Sequence, residues 1–217
     1  MYIKNCKSIF LLMFVINSCG QTINFDLEKE YLEVRNQITY YKGKPYTGLI
    51  LGNHQNGNLK IKSNYREGKL YGSFEQYHEN GNIDIKTTYV DGKLDGLYEE
   101  FYGNGTLEVK TSYKLGNPDG LFEQYHKNGN IDIKTTYVDG KLDGLYEKYF
   151  RNGNPQTLKK HDKGRFIGIH KEFHMNGKLR RKSTYNMKGI LDGPYEEYRE
   201  DGSLNFKILY KEGIKSY

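Results

Sequence analysis

Four histidines, His54, His78, His126 and His174, stand at intervals of 24 or 48 residues. Imidazoles in regular register are the residue type from which a zinc site or a proton relay would be built. The same position holds Tyr102, Phe150 and Arg199 elsewhere in the chain, so what recurs there is an aromatic or long side chain. If successive units are hairpins, equivalent positions lie two strands apart, roughly 9 to 10 Å, beyond the approximately 4 Å between nitrogens around one metal ion. Ring packing without a metal is the expectation, and His161 and His170 read as sporadic fillings of aromatic positions.

Other chemistries lack their geometry. No serine sits in a sharp glycine elbow, and the two cysteines, Cys6 and Cys19, both belong to the first nineteen residues. Neighbouring carboxylates such as Glu99 and Glu100 would point to opposite faces of a strand and could not share a substrate. Glycines occur singly at strand starts and turns, with no following helix to help cradle a phosphate. The chain is not expected to be an enzyme or to take a cofactor.

The elements that place these residues follow from a 24-residue period over residues 48–216. Seven units open at Gly48, Gly72, Gly96, Gly120, Gly144, Gly168 and Gly193, and only the sixth is one residue longer, between Asn186 and Asp192. Within a unit an apolar-alternating run meets Asn-Gly (Asp201-Gly202 in the seventh), a second alternating run and a looser turn. Asn-Gly suits the two positive φ angles of a type I′ turn, so each unit is expected to be a β-hairpin with a two-residue loop. Counting outward from Asn80-Gly81 then sets Glu79 opposite Asn82, Tyr77 opposite Asp84, Glu75 opposite Lys86 and Tyr89 opposite Gly72. The missing side chain of the leading glycine would leave room for the tyrosine ring. Glu75–Lys86, Glu99–Lys110 and Glu123–Lys134 become cross-strand pairs, worth about 0.2 to 1 kcal/mol each and structural in role.

The expected fold is all-β, a repeat protein made of one extended, single-layer, twisted antiparallel sheet of about seven hairpins. One face would carry a ring per hairpin, Tyr77, Phe101, Tyr125, Tyr149, Phe173 and Tyr198, among charges. Such a row either grips an extended partner or stiffens the sheet. Residues 37–47 read as a partial repeat with Tyr41 in the place of Tyr65, and residues 19–36 as a tether and N-terminal cap. Residues 121–143 copy residues 73–95 with two differences, Leu121 for Ser73 and Lys127 for Glu79, so a two-unit block has been duplicated. The fifth unit departs from the pattern, with Gln156 to His161 where other units place Lys and Tyr, and the ribbon is expected to bend or weaken there.

Residues 1–18 combine Lys4 and Lys7 with an apolar stretch from Ile9 to Ile16, too short to span a bilayer, and read as an export signal. Ile16-Asn17-Ser18-Cys19 resembles a bacterial lipobox, which implies acylation of Cys19 and a lipid anchor. Loss of Lys4 and Lys7 leaves 31 basic against 27 acidic residues with the signs interspersed, which is no footprint for nucleic acid.

Gly96, Tyr98, Phe101, Asn104, Gly105, Leu107, Lys110, Tyr113, Gly116 and Gly120 spell a motif similar to that of the MORN-repeat variant family. That resemblance implies a β-hairpin ribbon used as a scaffold for proteins or lipids, and members of the family are often labelled antitoxin components of toxin–antitoxin systems. With the lipobox, it implies a non-catalytic scaffold in the bacterial cell envelope, lipid-anchored to the outer membrane, that binds another protein. An antitoxin that neutralises a toxin directly and a module for glycans or lipid headgroups are the alternatives.

Overall fold

The computed structural model describes residues 21–216. The expected signal segment and Cys19 lie outside them. The chain is an all-β repeat protein built on one long sheet, in which the strands of the repeats pair antiparallel with their neighbours. The first repeat contributes Gly48–Asn53 and Leu59–Arg66, and the second Lys69–Tyr77 and Ile83–Val90. The pattern continues to Leu191–Tyr198 and Leu204–Lys211 of the seventh, followed by Ile214–Ser216.

The two kinds of turn exchange the roles expected from sequence. At Asn80-Gly81 only Gly81 takes a left-handed φ, +87°. The His78 amide donates to the Asn82 carbonyl (2.9 Å) and the Gly81 amide to the His78 carbonyl (2.9 Å), closing a three-residue loop of a type I turn followed by a left-handed glycine. The two-residue turns lie between repeats instead. Asp91 (φ +49°) and Gly92 (φ +79°) both have positive φ, with Val90 paired to Lys93 across them. In the sixth repeat the extra residue converts this connection to a three-residue loop, with the Asn186 amide on the Ile190 carbonyl and the Gly189 amide on the Asn186 carbonyl.

His78 rather than Glu79 therefore faces Asn82, and Tyr77 faces Ile83 rather than Asp84. A β-bulge at Asp84 then restores the count, so that Gln76 meets Ile85, Glu75 meets Lys86 and Gly72 meets Tyr89. The longer loop shifts the pairing by one residue and the bulge shifts it back. The charge pairing expected from a two-residue loop is thus reached by another route.

The leading glycines are required by their backbone. Their φ angles run from +70° to +149°. A Cβ on Gly96 would stand 2.5 Å from Thr88 Oγ1, and one on Gly72 would have Asn64 as its nearest neighbour, so the facing tyrosine ring is not what the missing side chain accommodates. At this point three residues of the opening strand oppose a single residue of the preceding one: Ser63 pairs with Phe74 and Tyr65 with Leu70. The positive φ carries the strand through that bulge.

At the N-terminus Gln21–Asn24 pairs parallel with Gly48–Asn53, and Asn24 caps a short helix, Phe25–Glu28. The Asp26 carboxylate accepts from the Asn53 amide (2.8 Å). Leu32–Arg35, Ile38–Tyr41 and Lys44–Pro45 form a separate three-stranded sheet. Residues 21–35, read from sequence as tether and cap, are thus part of the fold and cover its first strand. The Lys42-Gly43 turn places Tyr40, which pairs with Pro45 as Tyr65 pairs with Leu70, in the register position assigned from sequence to Tyr41. Ile23, Tyr46 and Ile50 form the buried core here, with Leu32, Tyr41 and Tyr65 packed on it. Burial raises the Tyr46 hydroxyl to about 12, and its proton is shared with the Gln21 and Leu49 carbonyls.

Candidate functional site

The two faces of the sheet do different work. One carries edge-to-face ring pairs, one per hairpin: Phe74–Tyr89 at 5.5 Å, Tyr98–Tyr113 at 5.8 Å and Phe122–Tyr137 at 5.8 Å. Between these rings lie small hydroxyl side chains, and Ser63, Thr87, Thr111 and Thr135 are buried. Aromatic pairs on this spacing add about 0.5 to 1.5 kcal/mol each beyond area burial, so this face holds the hairpins together.

The other face carries charge. Adjacent strands align Lys62, Glu75, Lys86, Glu99, Lys110, Glu123, Lys134 and Glu147 in one unbroken row of alternating sign. Within it Lys62 reaches Glu75 at 3.2 Å, Lys134 reaches Glu123 at 3.5 Å and Lys110 reaches Glu99 at 3.7 Å. The ladder joins repeats as well as the strands of one hairpin. It breaks at Leu158 and at the Lys171–Lys182 contact, then resumes at Glu196, which Lys207 approaches at 2.8 Å.

The rings expected to form a stripe, Tyr77, Phe101, Tyr125, Tyr149, Phe173 and Tyr198, run beside this ladder and are half-buried. Each faces an apolar partner in its own hairpin, including Tyr77 with Ile83, Phe101 with Leu107 and Tyr125 with Ile131. The hydroxyls of Tyr77, Tyr125 and Tyr198 donate to Glu75, Glu123 and Glu196 at 2.8, 2.9 and 3.0 Å. The Tyr77 bond, with help from Lys62, holds the Glu75 carboxyl below its ordinary value, while burial and Glu75 push the Tyr77 hydroxyl up to about 12. The stripe is therefore tied into the sheet through its ring edges and hydroxyls.

A second row on this face was not recognised from sequence. Leu97, Leu121, Leu145 and Ile169 each follow a leading glycine and are 44%, 46%, 51% and 50% exposed. Alternation along the strand places Leu97 on the side of Glu99 and Phe101. Four consecutive repeats thus present an aliphatic side chain and a half-buried ring in the same order, and in the third and fourth an ion pair, Glu99–Lys110 or Glu123–Lys134, lies between them. The sequence signal was the leucine after glycine in Gly96-Leu97, Gly120-Leu121 and Gly144-Leu145.

The histidines act between repeats. His54 Nε2 lies 2.8 Å from the Tyr77 carbonyl, His78 Nε2 2.9 Å from that of Phe101, and His174 Nε2 3.0 Å from that of Tyr198. Tyr102, at the same position, donates its hydroxyl to the Tyr125 carbonyl (2.7 Å). The loop asparagines do likewise: Asn80 and Asn82 both donate to the Gly103 carbonyl, at 2.7 and 2.9 Å. Asn80 Oδ1 also accepts from the Asn82 amide (3.0 Å). Asparagine recurs before glycine here for these bonds rather than for a positive φ. Among the described residues no three His, Cys, Asp or Glu side chains are grouped to hold a metal ion.

A family model described as MORN repeat variant matches five segments, residues 70–91, 94–115, 118–139, 167–187 and 191–212. Each segment runs from just after one inter-repeat turn to the next, and residues 140–166, which hold nearly all of the fifth unit, lie between matches. No curated protein matches the chain.

Proposed function

Because the chain belongs to the MORN repeat variant family, we propose that it is a non-catalytic scaffold that binds another protein along the charged face of its sheet, anchored through Cys19 to the outer membrane of a bacterial envelope. The observation that carries the reading is the row of Leu97, Leu121, Leu145 and Ile169 in consecutive repeats, about half exposed, the first three beside the Lys–Glu ladder. Exposed aliphatic side chains repeated along a rigid sheet offer a partner contact area at every hairpin, while the alternating charges beside them fix its register. The half-buried rings of Tyr77, Phe101, Tyr125 and Tyr149 floor the same surface.

The test changes Leu97, Leu121 and Leu145 together to aspartate and compares captured proteins with those held by the unchanged chain. A control variant carries aspartate at Leu115 and Val138, which are exposed to 62% and 48% at or beside inter-repeat turns. The proposal expects all three proteins to melt within a few degrees of one another, and the partner to be lost with the triple variant alone. Equal capture by all three would overturn it. A toxic protein among those captured would assign the antitoxin role, and retention on protein-free anionic vesicles or oligosaccharide resin would assign the lipid or glycan role.

A further inference from the structure

The joint between the fifth and sixth repeats lacks two ties found elsewhere in the array. The charge ladder is broken at Leu158 and Lys171. Phe150 occupies the position from which His126 and Tyr102 reach the next repeat, and its ring has no polar atom with which to do so. The family model passes over the fifth unit. In place of the usual side chains this joint carries titratable ones. Lys159 stands where other repeats bury Ser63, Thr87, Thr111 and Thr135. His161 replaces the tyrosine seen at Tyr89, Tyr113 and Tyr137, and His170 replaces the ring seen at Phe74, Tyr98 and Phe122.

These groups crowd around one ring. Phe166 lies 5.3 Å from the His161 ring and 5.2 Å from that of His170. Lys159 Nζ sits 4.3 Å from the Tyr146 centroid and 4.9 Å from that of Phe166. His161 is 6% exposed, and its Nδ1 is buried without a hydrogen-bond partner. His170 Nε2 is likewise unpartnered, 3.7 Å from the Glu172 carboxylate. From the next strand Arg181 approaches Glu172 at 3.4 Å and Arg180 approaches it at 3.7 Å, while the Tyr185 ring packs on Phe166 and His170. Glu172 is therefore shared among several cations.

We propose that this joint is a pH-sensitive hinge, closed while His161 and His170 are neutral and opened when they take up protons. With both imidazoles charged, they and Lys159 would crowd Phe166, Arg181 would add a further positive charge beside His170 and Glu172, and His161 would be a charge in a buried site. Burial and the neighbouring cations disfavour the charged form of both histidines, so opening is coupled to proton uptake. The second to fourth repeats have threonine and aromatic rings at the three positions, so the response is local.

Hydrogen exchange on the full chain at pH 7.5 and 5.5, corrected for the intrinsic rate, tests this. The open population of residues 155–185 should rise by about tenfold per proton taken up for each pH unit below the ordinary imidazole range, with residues 70–139 unchanged. A variant with His161→Tyr and His170→Phe, the array's own residues, should lose the response. Proton titration of the two imidazoles by NMR in the unchanged chain checks the idea without any substitution and should place both below an ordinary histidine. Equal exchange at the two pH values, a variant that responds like its parent, or imidazoles that titrate at the ordinary value of 6.5 would each overturn the hinge.

Discussion

Single residues in this array serve the repeat after their own. His78, Asn80 and Asn82 all direct polar atoms at carbonyls of the third repeat, and Tyr102 does the same for the fourth. Asn80→Ala removes two hydrogen bonds at an exposed loop, and a loss of about 1 kcal/mol in chemical denaturation is expected. Asn80→Gly should cost as much, because φ at this position is not what asparagine supplies. Gly96 poses the opposite case. With φ +110° and Thr88 Oγ1 2.5 Å from a built Cβ, Gly96→Val is expected to cost about 1 to 3 kcal/mol. Gly144, with φ +97° and open space around it, should tolerate alanine better than Gly96 does, and paired thermal melts of the two alanine variants check the order.

At the scale of strands and hairpins, the alternating ladder is the organising device. First strands of repeats supply Glu75, Glu99, Glu123 and Glu147, and second strands supply Lys62, Lys86, Lys110 and Lys134. Leu158 and Lys171 are the departures. The double change Leu158→Lys with Lys171→Glu would restore alternation from Glu147 to Lys182. A gain of roughly 0.5 to 1 kcal/mol is expected, since two like charges are separated and new cross-strand pairs form. Lys171→Glu alone should recover most of it by relieving the contact with Lys182, and denaturation midpoints of the single and double variants separate the contributions. The ladder also sets a pH limit. Glu75 and Glu196 have carboxyls held below their ordinary value of 4.5, by Tyr77 and Lys62 in one case and by Lys207 and Tyr198 in the other. Groups depressed on folding contribute stability that is complete above 4.5 and lost as the pH falls below it.

Across the whole molecule these terms predict acid unfolding in two stages at different places. The fifth and sixth repeats loosen first, below the ordinary imidazole value of 6.5, and the stability supplied by Glu75 and Glu196 in the second and seventh repeats is lost below 4.5. Hydrogen exchange followed from pH 7.5 to 3.5 should resolve the order, and one cooperative transition over all repeats would contradict it. Contacts limited to neighbouring repeats also predict that deleting residues 96–143, one duplicated block length, joins Asp95 to Gly144 with the pattern intact and leaves a folded, shorter array. Circular dichroism and a melting point within several degrees of the parent would be the expected result. The period, the all-β class, the hairpin per repeat and the Glu–Lys register were legible in the sequence, because side-chain alternation and turn glycines are local properties of the chain. Which turn takes two residues was not legible, since Asn-Gly and Asp-Gly satisfy the same local preference and the hydrogen bonds to the next repeat separate them. The aliphatic row of Leu97, Leu121, Leu145 and Ile169 and the histidine cluster around Phe166 were decided by tertiary structure alone. Exposure, and the company a buried imidazole keeps, depend on how neighbouring strands pair and pack and not on the run of residues within one strand.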